Sequence, residues 1–401
     1  MTQGPADRGL DVLRSLLRAT HHLPADRLGS VVAEQARGLG AAETVVYLVD
    51  HAQTRLMPVP GVGVAAREPL GVDGSPAGEA YRRVEVVRSA TDGAVRIWLP
   101  LLDGSERMGV LELAFPDPAT VPGEEEAKAF AALVAELAVS RAQYSDVLGR
   151  LRRARPLTLA AEIQWELLPP LSFATERVVI SGVLEPAYEI GGDTFDYAVN
   201  GDAAEVLVLD AVGHGLPAAL LSAAALGAYR HARRHEHPLP AISAAMNELI
   251  GDNFRQSHFA TGVLARLDLQ TGEFRWVNAG HPAPLIIRNG ALVPLPDCRS
   301  SLPFGLQSGP AHECRVDLHA GDRVLLYTDG IVEARSPSGE FFGEARLADF
   351  VVRAEEAGDP PPETLRRLMR NVLDHQAGAL QDDASIVLLE WRSGRDQSLE
   401  F

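Results

Sequence analysis

The sequence predicts an α+β multidomain chain, with a small N-terminal α/β module, a helical linker and a larger C-terminal α+β domain. Three observations predict it. Short apolar strands such as Thr44-Val45-Val46-Tyr47-Leu48-Val49 alternate with amphipathic helical stretches in the first part of the chain. A helix-favouring run then extends from Pro122-Gly123 to Pro156. Beyond Pro169-Pro170, apolar strands repeatedly finish on aspartate.

A chain of 401 residues with 46% hydrophobic and 23% charged residues has globular composition and room for two or three domains. Its formal charge of −17, from 54 acidic and 37 basic residues, repels nucleic acid and anionic membrane surfaces. No apolar run reaches a membrane-spanning length, and the start Met1-Thr2-Gln3-Gly4-Pro5 is not a basic-then-apolar leader. The expectation is a cytoplasmic protein with neither a nucleic-acid nor a membrane partner. Cys298 and Cys314 have no metal-site or redox spacing and are read as structural thiols. The single lysine, Lys128, lies in a charged helical stretch away from any glycine-rich loop, which excludes Walker-type nucleotide hydrolysis and protein-kinase chemistry.

Residues 1–118 form the first module. Its pieces run in order through a helix around 28–39, the strand 45–49, the Gly71-Val72-Asp73-Gly74 turn and the strand Val95-Arg96-Ile97-Trp98-Leu99-Pro100-Leu101. This order resembles a GAF domain, with a PAS-like fold as the alternative, and implies a sensor of unknown ligand. Residues 119–156 form the linker, where Glu124-Glu125-Glu126 makes a favourable acidic first turn. Phe130, Val134, Leu137, Arg141, Tyr144, Leu148 and Leu151 recur at spacings of four and three. That pattern suits a coiled-coil-like helix joining a homodimer; the alternative is a helix packed on its own domain. After Pro156, Leu159, Ile163 and Leu167 mark one face of a second, short helix.

The chemistry lies in residues 157–391, ahead of a polar tail at 392–401. The run Glu205-Val206-Leu207-Val208-Leu209-Asp210 delivers a carboxylate to the tip of a buried strand, and Gly213-His214-Gly215 lets the backbone come close to whatever binds there. Arg323-Val324-Leu325-Leu326-Tyr327-Thr328-Asp329-Gly330 has the same form. Asp382-Asp383 precedes the strand Ala384-Ser385-Ile386-Val387-Leu388-Leu389, and Asp193 and Asp196 sit in Gly191-Gly192-Asp193-Thr194-Phe195-Asp196. Carboxylates at this density repel one another without counter-charge, and no Lys/Arg cluster lies nearby. Oxygen ligands without cysteine point to two divalent cations, Mn²⁺ or Mg²⁺. Two such ions roughly 3.5–4 Å apart can activate a water and hold a phosphate oxygen. Neither cysteine is followed six positions later by arginine, and no Asp-x-Asp nucleophile motif occurs, so hydrolysis by a metal-activated water is the expected reaction.

Seven segments in order carry a more specific resemblance. They are Ala160-Ala161-Glu162-Ile163-Gln164-Trp165-Glu166-Leu167-Leu168-Pro169-Pro170, Ile190 to Asp196, Asp210-Ala211-Val212-Gly213-His214-Gly215, Phe259-Ala260-Thr261, Asn278-Ala279-Gly280-His281-Pro282, Tyr327 to Glu333, and Asp382-Asp383-Ala384-Ser385. Together they resemble the metal-dependent protein phosphatase (PPM) family, in the SpoIIE-type branch that regulates sigma factors. The resemblance implies an α/β/β/α sandwich with metals at one edge and a protein serine/threonine phosphatase activity. It further implies Asp210 as the ligand bridging both metals, the Ala211 carbonyl as a backbone ligand, Asp329 and Asp382 as carboxylates of the first metal, and Asp193 as the acidic ligand of the Gly-Gly-Asp turn. Asp196 and Asp383 are placed as outer or water-mediated ligands, with the choice between Asp382 and Asp383 open. Its implied substrate is a phosphorylated regulatory protein, a STAS-type anti-sigma-factor antagonist. The sensor and linker would set activity by moving the 159–168 helix against the catalytic core.

His214 either steers a water or leaving group or makes a structural hydrogen bond. His281 is read as shaping a turn. The basic run Arg230-His231-Ala232-Arg233-Arg234-His235 is assigned to a helix C-terminus and solvent. Two other functions fit less of the pattern: an idle signalling scaffold with a phosphatase fold, and a phosphatase of a small phosphorylated metabolite.

Overall fold

The computed structural model describes residues 5–91, 94–189, 191–254, 258–378, 380 and 382–392. The tail expected at 392–401 therefore lies, beyond Arg392, outside the described residues, as do Ile190 and Gln381 of the motifs. The chain divides into two compact units, Met1–Pro156 and Leu157–Phe401. Among the described residues no helix is long and apolar enough to cross a membrane.

The N-terminal unit is built on an antiparallel sheet of β1 (Glu43–Val49), β2 (Arg55–Pro58), β3 (Leu70–Gly71), β4 (Val87–Thr91), β5 (Ala94–Asp103) and β6 (Glu106–Phe115), in the order β3-β2-β1-β6-β5-β4. Its helices are α1 (Pro5–Ala19), α2 (Leu28–Ala36), α3 (Pro76–Arg83), α4 (Glu124–Ala142) and α5 (Asp146–Leu151). Alternation along the strands divides the core in two. Val46, Leu48, Leu99, Leu111 and Leu113 pack with Leu16, Leu28, Val32, Phe130 and Val134. Val45, Tyr47, Trp98 and Val110 pack on the other face with Ala77, Ala80 and Tyr81 of α3. Helices thus cover both faces of one sheet, the arrangement expected of a GAF-like module.

The linker departs from expectation in two respects. The helix is not continuous to Pro156, because α4 ends at Ala142 and α5 restarts at Asp146 with Ser145 as its cap, its hydroxyl accepting the Val147 N–H at 3.3 Å. Phe130, Val134, Leu137 and Leu148 of the expected seam lie in the N-terminal core, while Tyr144 is 80% exposed. A four-three spacing fits an intramolecular helix face as well as a coiled coil, and here the first is realised.

The C-terminal unit is a sandwich. One sheet holds β9 (Asp193–Asn200), β10 (Ala203–Ala211), β11 (Ala260–Asp268), β12 (Glu273–Ala279) and β15 (Glu313–Asp317), and the other β7 (Ser172–Ala174), β8 (Val178–Glu185), β13 (Leu285–Arg288), β14 (Ala291–Val293), β16 (Arg323–Tyr327) and β17 (Ala384–Trp391). The helices are α6 (Leu159–Leu167), α7 (Leu216–Arg234), α8 (Leu239–Asn253), α9 (Asp329–Val332), α10 (Glu344–Glu356) and α11 (Pro361–His375). Between the sheets lie Val178, Ile180, Phe195, Val206, Val208, Val263, Trp276, Val324, Leu326, Val387 and Leu389. Leu207, Leu209, Leu264 and Val277 face outward onto α7 and α8, through Leu221, Leu226, Ile242 and Met246. Leu325, Tyr327, Ile386 and Leu388 face α10 and α11, through Leu347, Val351, Leu365 and Leu368. Strands buried on both faces read as continuous apolar runs, which is why β10, β16 and β17 are legible in the sequence.

Two smaller expectations are corrected. Cys298 and Cys314 form a disulfide with their Cα atoms 6.0 Å apart, rather than standing as free thiols. The buried residues of α6 are Ala160, Ala161 and Gln164, while Leu159 is 63% exposed. The face that α6 buries thus runs through two alanines and a glutamine, with Leu167 only partly buried beside it.

Candidate metal centre

The register of β9 and β10 sets Asp193 directly opposite Asp210, and on its other side Asp210 faces Thr261 of β11. Directly paired residues share a face of the sheet, and on β10 that face is the one carrying Val206 and Val208 between the sheets. Asp193, the first residue of β9, and Asp210, the second last of β10, therefore point into the end of the sandwich. The opposite sheet answers from the same end. β16 finishes at Tyr327 beside Ile386 of β17, so Thr328 and Asp329 leave one strand where Asp382 and Asp383 enter the other.

The backbone allows this convergence at four glycines. A Cβ on Gly330 would stand 1.9 Å from the Asp383 carbonyl oxygen, and one on Gly192 would stand 2.3 Å from the Ala211 carbonyl oxygen. Gly215, at φ 69°, packs its amide nitrogen 2.7 Å from where a Gly191 Cβ would be. Asp383 fastens the Gly-Gly-Asp turn, accepting the Gly191 and Gly192 N–H groups at 2.7 and 2.8 Å through one oxygen. Asp382 is exposed at the rim and accepts the Asp383 N–H at 2.9 Å.

The carboxylates crowd one another. Burial and then Asp210 raise Asp193 well above the ordinary carboxylate range, and Asp193 is 2% exposed. Asp210 is pushed up to about 7 by burial and by Asp329, Asp382 and Asp383. Asp329 is raised by burial, Glu333 and Asp382, and Asp383 by burial against the opposing turn amides. These shifts describe acidic groups lacking a counter-charge. Among the described residues no group of three or more Asp, Glu, His or Cys side chains is already arranged so as to hold a metal ion. The donor set is nonetheless all oxygen and acidic, which suits a hard divalent cation, and the mutual repulsion is what such a cation would relieve.

Several residues that hold this site in place carried no assigned role in the sequence. The Thr328 hydroxyl donates to Asp193 at 2.6 Å and accepts the Ser385 N–H at 2.8 Å, so one side chain ties both strand ends to an acid on the facing sheet. Ser222 of α7 donates to the Gly192 carbonyl, and Gln164 of α6 donates to that of Gly191 at 3.3 Å. Thr328 was visible inside the Tyr327–Glu333 segment, where only its neighbour Asp329 drew attention.

Asp196 is not part of the cluster. It pairs with Leu207 on the outward face of its sheet and receives Arg230 at 2.8 and 3.1 Å and Arg233 at 2.8 Å. These arginines, expected to face solvent at a helix end, are thus the counter-charges of a buried acid. His214 is exposed in the glycine turn. His281 closes its own turn, its N–H donating to Asn278 Oδ1 at 2.8 Å, and its Nδ1 lies 2.8 Å from the Thr261 hydroxyl. Burial lowers His281 to about 4, so the ring there is neutral.

Residues 200–392 match the family described as Stage II sporulation protein E (SpoIIE). The C-terminal unit is a SpoIIE-family domain, of the protein serine/threonine phosphatase class. Similar curated proteins include the phosphoserine phosphatase RsbU of Bacillus subtilis (strain 168), 23% identical over 237 residues that cover 58% of this chain and 69% of that protein. The phosphoserine phosphatase RsbP of the same organism is 24% identical over 249 residues, covering 60% of this chain and 59% of RsbP. Among solved structures, the SiaA-PP2C domain of Pseudomonas aeruginosa is 22% identical with a TM-score of 0.49, over 58% of this chain and 94% of that one.

Proposed function

We propose that the C-terminal domain hydrolyses phosphoserine and phosphothreonine esters on a regulatory protein of a sigma-factor partner-switching pathway, a STAS-type anti-sigma-factor antagonist. One observation carries the reading: acids from both sheets, Asp193 and Asp210 from one and Asp329, Asp382 and Asp383 from the other, meet at one edge of the sandwich, where burial and crowding raise Asp193, Asp210, Asp329 and Asp383 above the ordinary carboxylate range. The names of RsbU and RsbP support the phosphoserine ester as substrate. Bound divalent cations, Mn²⁺ or Mg²⁺, would supply counter-charge, hold the phosphate and acidify a water.

The residues divide the work by position. Asp210, Asp193, Asp329 and Asp382 are the ligand carboxylates of this reading, with the Ala211 carbonyl beside them. Asp383 already spends one oxygen on the Gly191 and Gly192 amides, so it positions the turn and leaves Asp382 as the direct ligand of the pair. Thr328 orients Asp193. The N-terminal unit is a GAF-like sensor in this reading, and the whole protein works in the cytoplasm. Regulation passes through α6, which Trp165 and Gln164 pin to the Ala187 and Gly191 carbonyls of the segment leading into Asp193. Dimerisation through the linker is no part of it, since Phe130, Val134, Leu137 and Leu148 already fill the N-terminal core.

Phosphate release from phosphoserine, phosphothreonine and phosphotyrosine peptides, with Mn²⁺ or with EDTA, tests the proposal. The expected result is cation-dependent release from the first two. Release from none by a folded protein supplied with cation supports an idle scaffold instead.

A further inference from the structure

From Ala211 to Tyr229 the chain carries no Asp, Glu, Lys or Arg, although 23% of its residues are charged. This stretch is not wholly buried. Val212, Leu216 and Leu220 are 36%, 38% and 49% exposed. Leu216 and Leu220 stand one turn apart on α7, whose opposite side sends Ala218, Leu221 and Ala225 into the core. The same exposed side continues through the partly buried Ala223 and Ala224 to Gly227, where a Cβ would meet nothing within 4 Å. A solvated helix face ordinarily carries charged side chains. This one presents leucines, then small residues, and no charge.

The patch begins at the metal centre. Val212 is two residues from Asp210, within about 7 Å along the chain, and its N–H donates to the Phe259 carbonyl at 3.0 Å. Leu216 follows Gly215, which packs on Gly191 of the turn held by Asp383. A phosphoryl group held at this cluster puts the polypeptide that carries it within reach of this lip. A small phosphate monoester ends before reaching it, whereas a polypeptide does not. Val212, Leu216 and Leu220 carry no charge, so what this face offers a polypeptide is apolar contact.

We propose that Val212, Leu216 and Leu220 form the docking surface for the phosphoprotein, and that it recognises a phosphoserine segment flanked by large apolar side chains. The proposal rests on the phosphatase reading above and specifies which surface selects the substrate.

The test uses the full chain and its Leu220→Asp and Leu216→Ser variants with Mn²⁺ and three substrates. Two are phosphoserine peptides of equal length and charge, one with leucines beside the phosphoserine and one with serines, and the third is p-nitrophenyl phosphate. The native protein is expected to favour the leucine peptide in kcat/KM by about tenfold, the loss typical of a contact residue that matters. Both variants are expected to lose that preference while hydrolysing p-nitrophenyl phosphate at the native rate. A native protein active on p-nitrophenyl phosphate without peptide preference, or a preference surviving in both variants, overturns the docking surface and leaves the phosphatase reading intact. Equal loss on all three substrates shows that these leucines support the catalytic fold and overturns it too. A change in solution mass in the variants assigns the face to a second copy of the chain, again overturning it. A native protein idle on all three removes the phosphatase reading and the docking surface together.

Discussion

The Thr328 hydroxyl, at the end of one sheet, donates to the Asp193 carboxylate on the other at 2.6 Å, and in return accepts the Ser385 amide at 2.8 Å. This is a bond between the two halves of the sandwich at the point where the acids meet. It holds Asp193 facing Asp210 rather than turned away from it. Removing it should therefore loosen cation binding more than it loosens the fold. Thr328→Val is expected to weaken Mn²⁺ affinity by roughly 10–100-fold, the usual cost of losing a partner of a metal ligand, with Thr328→Ser close to native. Titration calorimetry on both variants checks this, and equal affinities would show that Asp193 needs no such support.

Repulsion among the acids predicts how stability depends on pH. Asp210 rises from 3.8 to about 7 on folding, so the folded protein takes up protons that the unfolded chain does not. That contribution is complete below about 3.8 and is lost as the pH rises through about 7. A divalent cation replaces the proton as counter-charge and competes with it. Mn²⁺ or Mg²⁺ should thus raise the melting temperature of the C-terminal unit strongly at pH 8 and little at pH 5. At a hundredfold excess over the dissociation constant the rise is roughly 5–10 °C. Asp210→Asn should remove most of it; a rise equal at both pH values would contradict the shared counter-charge.

Asp196 separates stability from chemistry. Its side chain is 2% exposed and Arg233 is 8% exposed. Removing the acid leaves buried positive charge, so Asp196→Ala is expected to cost about 3–5 kcal/mol in urea unfolding. Mn²⁺ affinity of the folded fraction should stay native. A selective loss of affinity without loss of stability would return Asp196 to the metal centre.

Gly330 limits how closely the strands can meet. The Asp383 carbonyl lies 1.9 Å from where its Cβ would be, and backbone cannot yield as a flexible side chain can. Gly330→Ala should displace the Asp382-Asp383 segment, lower kcat on p-nitrophenyl phosphate and cost about 1–3 kcal/mol of stability. A native rate would mean that the segment relaxes without harm to the site.

The sandwich was readable because β10, β16 and β17 are buried on both faces and so are written as apolar runs, followed by acids in β10 and β16 and preceded by them in β17. The direction of Asp196 was also within reach. It lies three residues from Asp193, and the period of a strand is two, so the two cannot share a face; the family motif drew both into one group. The linker was harder, since a four-three spacing states that one helix face is buried and not what buries it. The buried face of α6 was hidden because Ala160, Ala161 and Gln164 are weaker hydrophobic signals than Leu159. The Cys298–Cys314 bridge depends on the segment around Cys298 folding back to within 6.0 Å of Cys314 on β15, which no local pattern records.

The most direct measurement is the rate of p-nitrophenyl phosphate hydrolysis by the native protein, Asp210→Asn and Asp329→Asn, with Mn²⁺, Mg²⁺ or EDTA. Those two acids come from opposite sheets. If they serve one metal centre, each substitution lowers the rate by more than about a hundredfold, beyond the range seen for outer partners, and EDTA abolishes native activity. A rate indifferent to EDTA and to both substitutions would contradict the assignment of the reaction to this cluster.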